Sequence, residues 1–119
     1  MSSQSVTLYY NPRCSKSRAA LELLEENGIE PIIVDYMKEP PDVDTLQRIV
    51  ELLGIPVRDL LRSNEQVFKD AGMDESDLLD EDLLDALSQC PTLLQRPIVV
   101  VDDKLAVVAR PPEKLLDII

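Results

Sequence analysis

The sequence holds no histidine among its 119 residues. Histidine is the commonest general base near neutral pH and the commonest metal ligand, so its absence removes much familiar chemistry. With only two cysteines beside it, no standard four-ligand Cys/His zinc site can be assembled. Basic residues are scarce too: 12 lysines and arginines stand against 23 aspartates and glutamates, a formal charge of −11. Such a chain repels nucleic acid and anionic membrane surfaces. No apolar run approaches the ~18 residues of a membrane span. The opening Met-Ser-Ser-Gln-Ser has neither a basic nor an apolar region, so no signal peptide is expected. The expected location is cytoplasmic, where thiols stay reduced. No internal repeat or low-complexity segment is present.

What is there is globular. Hydrophobic residues make up 45% and charged residues 29%, a balance that packs a core. The length suits one domain. Ser5 to Tyr10 is rich in β-branched and aromatic residues and reads as a strand. Arg18 to Gly28 reads as a helix closed by its glycine. Ile29 to Tyr36 reads as a second strand, its continuous apolar centre suggesting burial on both faces. These three form a parallel, right-handed βαβ unit. A mostly helical stretch comes next, at about residues 42–91. It contains a helix from Val43 to Leu53 opened by Pro41-Asp42 and closed by Gly54, and a short helix from Val57 to Arg62. Another runs from Glu65 to Ala71, stopped by Gly72, and a last one from Asp80 to Gln89 has Leu83, Leu84 and Leu87 inward. Ile98–Val101, the turn Asp102-Asp103-Lys104 and Leu105–Ala109 then make a β-hairpin, and Pro111-Pro112-Glu113 starts a final helix.

The chain is organised around Asn11-Pro12-Arg13-Cys14-Ser15-Lys16-Ser17-Arg18, a tight loop between the first strand and helix. A thiol at the start of a helix faces unpaired backbone N–H groups and the positive end of the helix dipole, and both favour the thiolate. Arg13, Lys16 and Arg18 add positive charge in an otherwise acidic chain. With no histidine to act as base, ionisation of Cys14 has to come from electrostatics. The motif is Cys-x-x-Ser, so no resolving thiol lies on the same turn, and a thiol that turns over needs an external partner. Ser15 and Ser17 equally suit capping of the first helical N–H groups. Six residues after Cys14 stands Ala20, so the Cys-x5-Arg phosphate loop of tyrosine-phosphatase-type enzymes is absent. Cys90, between a helix and Pro91, reads as an inert, partly buried thiol. The acidic run from Asp74 to Asp85 reads as a solvated face.

Asn-Pro-x-Cys-x-x-Ser-Arg after a short strand resembles the active-site loop of the glutaredoxin-dependent arsenate reductase family. Leu60-Leu61-Arg62-Ser63-Asn64, Arg96-Pro97-Ile98-Val99-Val100 and Arg110-Pro111 recur in family order, so the resemblance covers nearly the whole chain. It departs at Tyr10, where well-studied arsenate reductases often carry histidine. The resemblance implies an α/β, thioredoxin-like fold: a single domain, residues 1–119, of βαβ unit, helical insertion, hairpin and C-terminal helix. It implies Cys14 as the nucleophile and Arg62, Arg96 and Arg110 as the oxyanion pocket, although on residue type alone each arginine reads first as a solvated surface charge. A guanidinium keeps its charge and offers a fork matched to tetrahedral oxyanions. The resemblance also implies a supporting loop of Tyr10, Asn11, Ser15, Ser17, Arg18 and Pro97, with Pro97 cis beside the cysteine. On frequency alone an X–Pro bond is expected to be trans. The implied activity is arsenate reduction in arsenic detoxification, with glutathione as co-substrate, glutaredoxin as partner, and no bound cofactor or metal. Two other readings fit this scaffold. One is a glutathione-dependent thiol/disulfide reductase, which Tyr10 keeps open. The other is a Spx-like regulator that binds RNA polymerase, against which Ser17 argues because those proteins usually carry Cys-x-x-Cys.

Overall fold

Val6 to Tyr10 forms the first strand, β1, and every other element of its unit is placed relative to it. A computed structural model of the protein describes residues 5–61 and 78–119. The chain divides into two compact units, Met1–Glu39 with Arg96–Ile119, and Pro40–Gln95. In the first unit β1 pairs in parallel with β2 (Ile32–Asp35) and antiparallel with β3 (Ile98–Val101). The latter pairs antiparallel with β4 (Leu105–Val108), giving the order β2-β1-β3-β4. Helix α1 (Ser15–Glu26) connects β1 to β2 as the expected βαβ unit.

Strand alternation and helical spacing build one core from these pieces. Val6 and Leu8, two apart on β1, share a face with Val99 and Val101 of β3. Ala20 and Leu24, four apart on α1, meet that face together with Ala109 and Leu115. Leu24 is fully buried, so Leu24→Ala would cost about 2–5 kcal/mol in lost transfer energy and cavity. The helix ends where Gly28 turns left-handed, at φ 75°. That turn lets the Gly28 N–H reach the Glu25 carbonyl and the Ile29 N–H reach the Leu24 carbonyl. In the hairpin, Asp102 and Asp103 both have positive φ (54° and 53°), and the Lys104 N–H donates to the Val101 carbonyl at 3.0 Å. This is the primed turn whose twist matches its strands, and aspartate tolerates it better than most residues.

Two expectations are corrected in this unit. The second strand is not buried on both faces: Ile32 and Ile33 are 60% and 47% exposed. The βαβ crossover puts β2 outside β1, while β3 takes the other side, so among the described residues β2 is an edge with no neighbour beyond it. Pro31, which has no N–H to give a ladder, stands immediately before it. The final helix is a 3-10 helix over Pro112–Asp117. Its spacing of three stacks Pro112, Leu115 and Ile118 on one side. The first two are buried and Ile118 packs on the core, whereas Leu116 is 43% exposed.

In the second unit α2 (Val43–Leu53) starts at Asp42, whose Oδ1 accepts from the Thr45 N–H at 2.8 Å, and ends at left-handed Gly54. Helix α3 (Asp80–Gln89) buries Leu83, Leu84 and Leu87. The expected short helix after Pro56 is a 3-10 turn over Val57–Leu60, and Leu61 then bridges Leu94 antiparallel. The expected helix from Glu65 to Ala71, and Arg62 with it, lie outside the described residues. Among those described, no helix is long and apolar enough to cross a membrane.

Candidate active site

The strand registers, continued past their last pairs, draw a line of four residues across the end of the sheet. Tyr10 pairs with Asp35, so the next step sets Asn11 beside Tyr36. Tyr9 pairs with Ile98, so two steps on Asn11 faces Arg96. Ile98 pairs with Val108, and the Ala109 N–H donates to the Pro97 carbonyl at 2.8 Å. One step further sets Arg96 opposite Arg110. Tyr36, Asn11, Arg96 and Arg110 thus lie just past the last ladder pairs of β2, β1, β3 and β4, in the sheet's spatial order. The peptides Arg96–Pro97 and Arg110–Pro111 are both cis. The first matches the resemblance; the second was not foreseen from the sequence, where Pro111 reads as an ordinary helix start.

Cys14 is delivered to the same end by the turn after Asn11, its N–H donating to the Asn11 carbonyl at 2.9 Å. It is the residue before α1, with extended backbone, and its thiol is half-buried. Burial works to raise the thiol's pKa, yet the value falls from the ordinary 9.0 to about 7. The Ser17 backbone N–H, the Arg96 side chain, the Ser17 hydroxyl and the Lys16 N–H all favour the thiolate. As a neutral thiol it closes no capping hydrogen bond. The cation that counts is thus Arg96, eighty-odd residues away in the chain, whereas Arg13, Lys16 and Arg18 point their side chains into solvent. Burial also opposes charge on Arg96, but the neighbouring Cys14 and Tyr36 outweigh it and raise its pKa.

Ser17 is fully buried. Its Oγ accepts from the Asn11 N–H at 3.3 Å, joining the loop's first residue to the helix's first turn. The Asn11 Oδ1 in turn accepts from the Arg13 N–H at 3.0 Å. These bonds hold the loop closed around the thiol. Ser15 is exposed and Pro97 is buried. Arg18 donates its backbone N–H to the Cys14 carbonyl at 3.1 Å as part of the helix.

Tyr10, the departure from histidine, is partly buried on the side of the sheet that α1 covers. There it packs on the core of Val6, Leu8 and Leu24, as strand alternation from Val6 and Leu8 sets it. Tyr36 is the tyrosine at the site, and sequence reasoning took it only as the end of a strand. It is fully buried, and its hydroxyl has no hydrogen-bond partner among the described residues. Leaving a buried hydroxyl unpaired costs about 1–3 kcal/mol. Burial pushes its pKa up, the Arg96 charge and the nearby Asn11 and Arg96 side chains act against that, and a negative Cys14 adds to the rise. The sequence signal that could have found it is its place one residue past a parallel strand partnered with the loop.

Arg110 is exposed, and among the described residues its guanidinium has no hydrogen bond or ion pair. Cys90 belongs to the other unit, where its Sγ lies 3.4 Å from the Thr92 Oγ1. A cavity of about 280 Å3 opens beside the loop, lined by Asn11, Pro12, Arg13, Asp35, Met37 and Lys38. A larger hollow of about 660 Å3 in the second unit is lined by Val43, Asp44, Gln47, Leu84 and their neighbours and has no cysteine or arginine in its lining. No group of three His, Cys, Asp or Glu side chains among the described residues could hold a metal ion.

A half-exposed thiolate facing a guanidinium is equipped to attack an oxyanion's central atom, and the comparisons with known proteins run the same way. The model of the ArsC family matches residues 9–118. A protein of Haemophilus influenzae named arsenate reductase is 44% identical over 116 residues, covering 97% of this chain and 99% of its own length. The uncharacterized protein YfgD of Escherichia coli is also 44% identical, over 98% of both chains. The solved structure of an arsenate reductase from Vibrio cholerae superimposes with a TM-score of 0.95 at 40% identity, covering 99% of this chain and all of that one. The thioredoxin-like α/β fold is therefore shared.

Proposed function

This chain belongs to the ArsC family, and from that premise we propose that it is an arsenate reductase with Cys14 as its nucleophile. The observation that carries the reading is the Cys14 thiol, brought to about 7 and facing the Arg96 guanidinium at the N-terminus of α1. Near neutral pH a large share of the thiol is ionised without any histidine. The guanidinium beside it offsets the charge that would otherwise keep an anionic nucleophile from an anionic substrate. Arg110, across the β3–β4 register from Arg96, supplies a second fork. Arg62 is carried as a third by the resemblance alone.

The reaction is a two-electron reduction of arsenic from the +5 to the +3 state. The Cys14 thiolate attacks arsenic, forming an S–As bond, and one oxygen leaves as water after protonation. A second thiol adds to the arsenic and a second oxygen leaves as water. A third thiol attacks the sulfur of that second thiol. The As–S bond breaks, its electron pair stays on arsenic, and a disulfide departs. Water then releases arsenite and returns the Cys14 thiol. Ser17 stands where a resolving cysteine would have to be, so the second and third thiols come from outside. We assign these roles to glutathione and glutaredoxin, the small and protein thiols of a reducing cytoplasm. Within this reading the whole chain works as one domain carrying an inserted helical segment.

The decisive experiment follows arsenite formation by the purified protein with glutathione and glutaredoxin supplied together and singly. Turnover that needs both supports the donor assignment. Turnover with thioredoxin instead would keep the reductase and replace its donor. No arsenite under any donor, with reduction of a glutathione mixed disulfide in its place, would move the protein to thiol/disulfide exchange.

A further inference from the structure

Of the groups gathered at the end of the sheet, Tyr36 has no role in the reaction above. We propose that Tyr36 is a positioning residue: its buried hydroxyl holds the Arg96 guanidinium in the orientation that faces the Cys14 sulfur.

Three observations converge on this. Tyr36 is fully buried and its hydroxyl is unpaired among the described residues, so phenylalanine would fill the same space without an orphaned polar group. A buried hydroxyl kept without a partner calls for an explanation in function. The register of β1 with β2 and β3 sets Tyr36 and Arg96 on the two sides of Asn11. The charged and polar groups facing the phenol are Arg96, Asn11 and Cys14, from β3's leading end, the loop and the start of α1. Burial keeps the phenol neutral, and a neutral phenol oxygen can accept from a guanidinium. A guanidinium presents five N–H donors in a fixed fork, more than one sulfur can use. When Cys14 ionises, the edge of Arg96 turned to the thiolate leaves another edge for the phenol oxygen. The phenol oxygen, which already lies beside the Arg96 side chain, is then better paired in the thiolate state than in the thiol state. That difference favours the thiolate, whatever oxyanion it goes on to meet.

The test is Tyr36→Phe in a Cys90→Ser background, so that one thiol is read. Thiolate absorbance and the rate of alkylation by iodoacetamide are followed against pH, neither of which needs arsenate. The midpoint is expected to rise by roughly half a unit to one unit, with thermal stability equal to or above that of the parent. An unchanged midpoint overturns the proposal whether or not stability falls; a fall in stability alone would make Tyr36 a packing residue. A second arm combines the change with Arg96→Lys, which removes the fork. Because Tyr36 acts through Arg96, adding Tyr36→Phe to Arg96→Lys should move the midpoint no further. Additive shifts in the double variant would overturn it equally.

Discussion

Asp42 and Cys14 occupy the same place on two different helices. Each is the extended residue before the first turn, and each has a hydroxyl residue three positions on, Thr45 for Asp42 and Ser17 for Cys14. In both cases the backbone N–H and the side chain of that residue favour the charged form of the capping group. The helix start offers the same unpaired donors to a carboxylate and to a thiol. Beyond those shared donors the two helix starts differ. The Asp42 carboxylate closes a 2.8 Å bond to the Thr45 N–H and is held below the usual aspartate range. The Cys14 thiol closes no such bond at rest and has Arg96 beside it. A cap that is satisfied only anchors its helix, whereas one that is half satisfied and backed by a fixed cation has capacity left for a substrate.

The comparison breaks most plainly at Cys14 itself. Cys14→Ser should abolish arsenite formation, because the other cysteine, Cys90, precedes only the three-residue 3-10 turn Pro91–Leu93. Cys14→Asp is the sharper variant: it installs the capping group of α2 on α1, so the helix should stay as stable while turnover vanishes. A folded Cys14→Asp protein that still makes arsenite would show that the helix start holds the substrate and the sulfur is dispensable. Cys90→Ser should leave turnover nearly intact.

Arg96 and Arg110 come next. Removing one donor from an oxyanion-stabilising set typically costs ~10²–10³ in rate, and Arg96→Lys or Arg110→Lys removes the fork while keeping the charge. Arg48→Lys, at an exposed pair 3.7 Å from Glu51 on α2, should leave kcat/KM unchanged, since such pairs contribute little. Equal tolerance at all three positions would dissolve the row across the sheet as a functional unit.

Much of this was legible in the sequence because it is local. The loop Asn11-Pro12, the β-branched run before it, Asp42 and Gly54 at the ends of α2, and Leu83, Leu84 and Leu87 on α3 are all set by neighbours a few residues away. What stayed hidden depends on which strands become neighbours. Ile32 and Ile33 look like a buried strand until the sheet order makes β2 an edge. The three cations around Cys14 look like its activators until the antiparallel register delivers Arg96 instead. Tyr36 is silent for the same reason, since its meaning comes from lying beside Asn11. Tyr10 drew attention as a departure from histidine, yet strand alternation turns it into the core.

Moving the thiol to the other helix measures what Arg96 adds. In a background of Cys14→Ser and Cys90→Ser, an Asp42→Cys thiol would meet the Thr45 N–H and hydroxyl with no described cation on it. Its midpoint should lie between about 7, the value at Cys14, and the ordinary 9.0. Thiolate absorbance against pH reads this directly. A midpoint as low as that of Cys14 would mean that the helix start alone does the work and Arg96 is a bystander.

The smallest effect is the one on stability, and it separates the two caps by pH. Both groups have folded pKa values below their unfolded ones, so each stabilises the fold in its charged form and loses that contribution as pH falls through the folded value. For Cys14 the window runs from 9.0 down to about 7: the contribution is complete above the upper limit and gone below the lower. The parent should therefore gain thermal stability over Cys14→Ser as pH rises from 7 to 9, and run parallel to it below 6. The gain will be modest, because the sulfur is half-exposed and solvent screens it. For Asp42 the contribution is already complete at neutral pH and fades only in acid, so Asp42→Asn should be offset from the parent by a constant amount across the same range. Thermal melts of the three proteins at matched ionic strength give both curves. If the Cys14→Ser curve also ran parallel to the parent from pH 7 to 9, the thiolate would have no preference for the folded chain, and its low pKa would have to be abandoned along with the role built on it.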